Sequence, residues 1–380
     1  MKKGLSRRNL FKFMAIGGTT AVAAGCEQKP EKIIPALVPP VDFEYMPNTG
    51  YQYMTTCREC DAACGMMITT REYRAQKAEG NPNHPHNQGA LCARGQASLQ
   101  TLYNPERHAR PNSGGNNVSW EDAQSEFVNL VQQSAGQIVY LGRPAVGSEG
   151  NFIDNWLNEV GGGKRIAFSL ISRASEQRAC EIAFGRSDLP DYAFENAELL
   201  VNFGADFIET WGNTVQNARR FADMHAYNDG KKNRCIHVGP HQSLSGARAD
   251  EWLPANPGTE AMIALAMAHA IHQRDPHHDF LSDYLSPYSP ELVAGETGIS
   301  AEKIQTLAEK FHQAPSLALA GGIWNSSEQA TATQVAVFIL NAAAGNLGKT
   351  LRFHESEQPS EDTSHSQILQ LLSDLNAGKV

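Results

Sequence analysis

Four cysteines in the pattern C-x2-C-x3-C-x27-C, Cys57, Cys60, Cys64 and Cys92, constrain this chain's fold more than any other feature. Three thiols within eight residues must point into one space, and the fourth must be carried back to them across the intervening chain. Such a set can cap the four irons of a cubane [4Fe-4S] cluster, one thiolate to each corner. Zinc also accepts four thiolates, but its modules pair two C-x2-4-C knuckles, whereas here three cysteines crowd together and the last stands alone. A ruined or empty site is the third alternative. The remaining cysteines, Cys26, Cys180 and Cys235, are too unevenly spread to suggest a disulfide framework.

Residues 1–26 read as an export signal. Lys2 and Lys3 precede Ser6-Arg7-Arg8-Asn9-Leu10-Phe11-Lys12 and a weakly apolar run from Phe13 to Ala24. Adjacent arginines before a modest apolar run are of the twin-arginine type, a route for proteins folded around a cofactor before export. The run is too short and too rich in Gly, Ala and Thr to span a bilayer core of about 30 Å. Cys26, after Ala23-Ala24-Gly25, is a candidate for lipidation, with a plain small-residue cleavage site as the alternative. Removing the five cations of this segment takes the formal charge from -9 to -14 (-9 minus 5). That excludes the basic face a nucleic-acid binder uses to displace counterions. Residues 27–50 follow as a linker, in which Pro30, Pro35, Pro39, Pro40 and Pro47 forbid helix.

A small β-rich cluster lobe is expected over residues 51–112. Gly65–Thr70 and Tyr73–Glu79 read as paired strands, 80–87 as a turn-rich loop, and Ala93–Leu102 as a helix that begins just after Cys92. From Ser113 to Val380 strands alternate with helices, the pattern of doubly wound, mostly parallel α/β domains. Strands are expected at 138–141, 165–170, 199–204, 235–239 and 317–320, with extended chain at 252–255. Helices are expected at 149–160, 173–184, 215–227, 259–272, 300–312, 328–344 and 364–376. The last helix is followed by Gly378 as a C-cap and Val380 as the start of another strand, so the sequence reads as stopping inside a βα unit.

Other motifs carry less. His84 and His86 border Pro85 in the loop and read as structural or surface histidines, with metal ligation the sharper alternative. Arg94, two residues after Cys92, is either a solvated arginine or a cation that stabilises the more negative, reduced cluster. Gly348-Lys349-Thr350 mimics the end of a P-loop, but Ala343 stands where the first glycine belongs and a helix precedes it. No G-x-G-x-x-G opens a strand-to-helix turn, so a nicotinamide site is unsupported. Cys180 and Cys235 fall in apolar patterns and read as inert core thiols. No residue is assigned a catalytic role.

Three stretches together resemble the N-terminal cluster domain of the molybdopterin oxidoreductases of the complex iron–sulfur molybdoenzyme group. They are Thr55–Gly65, Glu79–Pro85 and Gly89–Gly95. Ala249–Pro254 with Pro257–Glu260, and Leu340-Asn341 with Gly345–Gly348, look like later landmarks of that family, so the resemblance covers about 51–380. It implies a multi-domain α/β body, one [4Fe-4S] cluster on Cys57, Cys60, Cys64 and Cys92, and a cation at Arg94 between cluster and pterin.

Three departures count against a molybdopterin guanine dinucleotide. No cysteine stands near 169–175, where the family ligates molybdenum, leaving only Ser172 or Ser175. Gly239-Pro240-His241 replaces the usual Asp-Pro-Arg, and Glu260 replaces an aspartate. The resemblance implies a cofactor-closing C-terminal domain that the 380 residues are not expected to include. With the twin-arginine start and the Pro-rich linker, these departures look most like the iron–sulfur subunit of alternative complex III, related to polysulfide reductases. That branch implies an electron-transfer subunit on the periplasmic side of the membrane, partnered by a quinol-oxidising membrane subunit and further iron–sulfur or cytochrome c subunits. A catalytic molybdenum or tungsten half-enzyme and a structural subunit with a vestigial cluster site are the alternatives.

Overall fold

The protein was analysed as a computed structural model, which describes residues 50–353 and 365–379 apart from 61, 135, 146–147, 170–171, 229, 277–280 and 324–326. The export signal, Cys26 and the linker lie outside the described residues. The chain divides into two units, 1–50 with Arg71–Tyr73, and all the rest. Of the first, the described part is Gly50 and a tight tip in which Glu72 and Tyr73 adopt φ of 49° and 62°.

The second unit begins with the cluster lobe. Strands β1 (Tyr51–Thr56), β2 (Gly65–Arg71) and β3 (Arg74–Gly80) form one sheet in that order, and helix α1 (Ala93–Leu102) follows. Strand β1 runs antiparallel to β2 in a register that sets Thr56 opposite Gly65. Helix α2 (Trp120–Gln133) is an element beyond those the sequence reading expects. Its start is written in Ser119, whose Oγ accepts the Asp122 N–H at 3.0 Å, a side-chain N-cap. It buries none of its residues, although Trp120, Ala123, Phe127, Leu130 and Val131 recur at helical spacing along it. Next, β4 (Ile138–Gly142), α3 (Ser148–Glu159) and β5 (Gly163–Ala167) make a parallel βαβ unit, with Ile153 and Leu157 buried against Ile138 and Tyr140.

After α4 (Ala174–Phe184) comes the main sheet: β6 (Leu199–Phe203), α5 (Thr214–His225), β7 (Arg234–Val238), β8 (Glu251–Leu253), α6 (Glu260–Arg274), α7 (Ala301–Gln313), β9 (Ser316–Ala320), α8 (Ala330–Ala343) and finally α9 (His365–Asn376). Its order among the described strands is β8-β7-β6-β9, all parallel. Strand β6 is buried at every position, as its continuous apolar run Leu199–Phe203 requires of a strand covered on both faces. Leu199, Val201 and Phe203 enter a core shared with α6, α7 and α8, while Leu200 enters the opposite core with Ala179, Cys180, Phe207 and Phe221. The architecture is the doubly wound α/β arrangement that strand–helix alternation predicts, with a β-rich lobe in front. No helix among the described residues is long and apolar enough to cross a membrane.

Candidate metal centre

The β1/β2 register delivers two of the four cysteines. Cys57 leaves β1 as Cys64 arrives at β2, and the Cys57 N–H donates to the Cys64 carbonyl at 2.8 Å. Cys60 sits on the intervening turn, whose reversal is completed by Ala63 at φ 46°. Cys92 is the N-cap residue of α1, so its thiol stands at the positive end of a helix that favours negative charge. Burial and the neighbouring charge of Cys60 and Cys92 push the Cys57 thiol up. Burial, then Cys60, Cys57 and Cys92, push Cys64 up to about 11. The Cys57 and Cys64 thiols therefore both feel Cys60 and Cys92. Without a cation to offset that repulsion the buried pair stays protonated, and with one the thiolates become stable ligands.

Among the described residues, no three of His, Cys, Asp or Glu close on a point that could hold a single metal ion. Four cysteines brought to one junction are the donor set of an iron–sulfur core, which would supply one-electron chemistry when bound. Two residues absent from the sequence-based site shape the surroundings. Gly95 is buried where a Cβ would lie 2.6 Å from Leu91 Cδ1 and 3.3 Å from Cys57 Sγ, so only a hydrogen lets α1 approach Cys57 this closely. Asn87, fully buried, bonds the backbone on both sides of the loop. Gly95 was legible as a small residue beside a cysteine; nothing in the sequence marked Asn87 among the loop's other asparagines.

Arg94 lies exposed on the first turn of α1, near the cluster site. His84 packs its ring beneath Gly65, where a Cβ would meet it at 2.6 Å, and His86 Nδ1 accepts from Gln216 Nε2 at 3.3 Å. Both are structural placements. A cleft of about 450 Å³ opens beside Cys92, walled by Leu91, Ile208, Val215 and Ala218. Cys180 and Cys235 are fully buried, and burial, reinforced by Glu176 and Asp250 respectively, pushes each thiol up to about 12, as suits inert core residues. Thr350 Oγ1 donates to the Ser316 carbonyl at 2.6 Å, so the P-loop look-alike is a structural turn.

In open parallel sheets ligands bind beyond the carboxyl ends of the strands, where the strand order reverses, here between β6 and β9. That crevice is filled by the chain's own side chains. A Cβ on Gly321 would meet Trp211 Nε1 at 2.5 Å and Glu176 Oε1 at 2.7 Å, and one on Gly322 would meet Asp206 Oδ1 at 2.6 Å. Asp206, Glu176 and Glu260 are buried along this edge, and burial pushes the carboxyls of Asp206 and Glu260 up. Arg173 pairs with Glu176 there, Nε to Oε2 at 2.9 Å, and lies over the Trp211 ring, so among the described residues this edge holds a cation as well as carboxylates and its partners are already matched to one another. Ser172 Oγ accepts the Ala174 N–H at 3.1 Å, ahead of α4, and carries no sign of a metal ligand.

Residues 52–104 match the model of the molybdopterin oxidoreductase Fe4S4 domain. The chain carries that domain. It is similar to the molybdopterin-binding-like subunit of menaquinone reductase from Nitratidesulfovibrio vulgaris, 24% identical over 91% of this chain and 52% of the relative. It is also similar to the molybdopterin-containing subunit of arsenate respiratory reductase from Shewanella (24%, 79% and 41%) and to that of thiosulfate reductase from Salmonella typhimurium (22%, 94% and 48%). The fold is that of acetylene hydratase from Pelobacter acetylenicus, with a TM-score of 0.60 and 16% identity over 78% of this chain and 44% of that one. The chain thus spans about half the length of the molybdopterin oxidoreductases it matches. A [4Fe-4S] cluster and kinship with subunits of oxidoreductases stand on these comparisons.

Proposed function

We propose that this chain is the cluster-bearing part of a molybdopterin-oxidoreductase-type subunit, and that its own contribution is to pass electrons one at a time through a [4Fe-4S] cluster held by Cys57, Cys60, Cys64 and Cys92. The observation that carries this is the meeting of the four thiols at the β1/β2 junction and the N-terminus of α1. Arg94 is assigned the part of a nearby cation that stabilises the reduced cluster. Anaerobically reconstituted, reduced protein is expected to give the low-temperature EPR signal of [4Fe-4S]+, lost in Cys57→Ser. Protein that purifies with zinc and no iron overturns the reading.

For the whole protein, the names of the relatives favour a molybdopterin-containing catalytic subunit of which this chain is the N-terminal half. They support that reading more directly than a dedicated electron-transfer subunit. One observation favours the second, a pterin-free relay in a quinol-linked complex of the alternative complex III type: the crevice between β6 and β9 is filled by Trp211, Glu176 and Asp206. The twin-arginine segment supports placing either form on the periplasmic side of the cytoplasmic membrane, with Cys26 a candidate lipid anchor and a quinol-oxidising membrane subunit a partner. Stoichiometric molybdenum or tungsten, with a pterin fluorophore released on acid oxidation of the purified protein, decides for the first reading. Iron without either decides for the second.

A further inference from the structure

We propose that Asn87 is the positioning residue that holds the Cys92 corner of the cluster in register with the other three, a role that rests on the cluster reading above. In a loop where Pro85, His86 and Gln88 are exposed, Asn87 is fully buried. Its Oδ1 accepts the Gly65 N–H at 2.9 Å, and its Nδ2 donates to the carbonyls of Gly65 at 2.9 Å and Ala90 at 2.7 Å. Gly65 directly follows Cys64, and Ala90 lies two residues before Cys92. The amide therefore reproduces one rung of a strand ladder, pairing with both backbone groups of Gly65, and spends its second N–H on the segment that carries the fourth ligand. It is a crossbar between the two ligand-bearing segments.

The other three ligands have supports that do not pass through it. The register of β1 on β2 and the Cys57 N–H to Cys64 carbonyl bond fix the triplet. The loop also keeps backbone bonds of its own, Asn81 N–H to the Gly65 carbonyl and Gly89 N–H to the Asn81 carbonyl, both 2.9 Å, which no Asn87 substitution removes. Taking away the side-chain amide frees the approach to Cys92 and leaves the triplet and the loop's path in place. The expected lesion is selective: the iron at the Cys92 corner leaves and a three-iron cluster stays behind.

Two substitutions separate this from general loosening. Asn87→Leu keeps the volume and removes all three bonds; Asn87→Asp keeps the acceptor for the Gly65 N–H and sets a carboxylate against two carbonyls. Both are reconstituted anaerobically beside wild type and Cys92→Ala, and iron per chain and EPR of the oxidised and reduced forms are read. The expected result is loss of about one iron in four with the oxidised-state signal of a three-iron cluster in both Asn87 variants, matching Cys92→Ala and absent from wild type. If Asn87→Leu fails to fold, Asn87→Asp alone decides. Wild-type iron content and an unchanged four-iron signal in the folded variants overturn the proposal, as does loss of all iron from a folded chain. A wild type without the four-iron signal overturns the cluster reading itself.

Discussion

At Gly95 a single hydrogen sets how near the helix carrying Cys92 comes to Cys57. Alanine is ordinarily the better helix residue, by about 1 kcal/mol. Here its methyl would press on Leu91 and the Cys57 sulfur. Gly95→Ala is therefore expected to be destabilising, by about 1–3 kcal/mol as overpacking costs, and to shed iron faster to a chelator, followed as bleaching of the visible absorbance. An unchanged bleaching rate would contradict the close approach. The four cysteines could be singled out because a metal site writes its valence into residue type and spacing. The cradle could not, because the value of Asn87 depends on which carbonyls return beside it, and sequence order does not contain that. His84, weighed beforehand as a metal ligand or a structural residue, packs its ring under Gly65.

Single elements were legible to the degree that one face of each is buried. Strands β6 and β9, buried at every residue, and helices α6, α7 and α8 stand within a few residues of where their apolar patterns place them. Helix α2 carries both a cap and apolar residues at helical spacing yet buries nothing, so its pattern alone did not tell it from loop. What closes the sheet was illegible. Strand β9 is its outer member, and Asn341 of α8 accepts the Ala318 N–H and donates to the Ala318 carbonyl, both at 3.0 Å, so a side chain stands in for a further strand. Asn341→Ala leaves both groups buried without partners and is expected to cost about 2–5 kcal/mol, read as a lowered urea midpoint. Asp250 does similar work between α5 and β7. Although burial raises its pKa, hydrogen bonds from Lys232 Nζ, the Cys235 N–H and His225 hold the carboxyl at about 2. A carboxyl lowered on folding stabilises above its unfolded pKa of about 4 and loses that contribution as pH falls toward 2. Asp250→Asn should therefore lose about 1 kcal/mol near neutrality, the exposed carboxylate being partly screened by water, and almost nothing at pH 2, seen as a flatter dependence of stability on acid between those limits.

At the scale of the whole molecule, the lobe and the sheet differ in how far along the chain their partners lie. All four cysteines proposed to hold the cluster come from residues 57–92, whereas β6 and β9 pair Leu199 with Ser316. Closing a flexible loop costs about (3/2)RT ln n, so the longer closure is the dearer by about 1 kcal/mol, and topologies with distant pairings form more slowly. Fold class followed from strand–helix alternation. The filled crevice between β6 and β9 did not, because it depends on Trp211 and Glu176 meeting glycines more than a hundred residues away. The short span of the ligands has a consequence for biosynthesis. A nascent chain that has cleared the ribosome only as far as α1 already holds every thiol the cluster needs, together with Asn87 and Gly95. Iron can be seated before the strands of the main sheet have all been made, and the later sheet then folds behind a lobe that is already loaded.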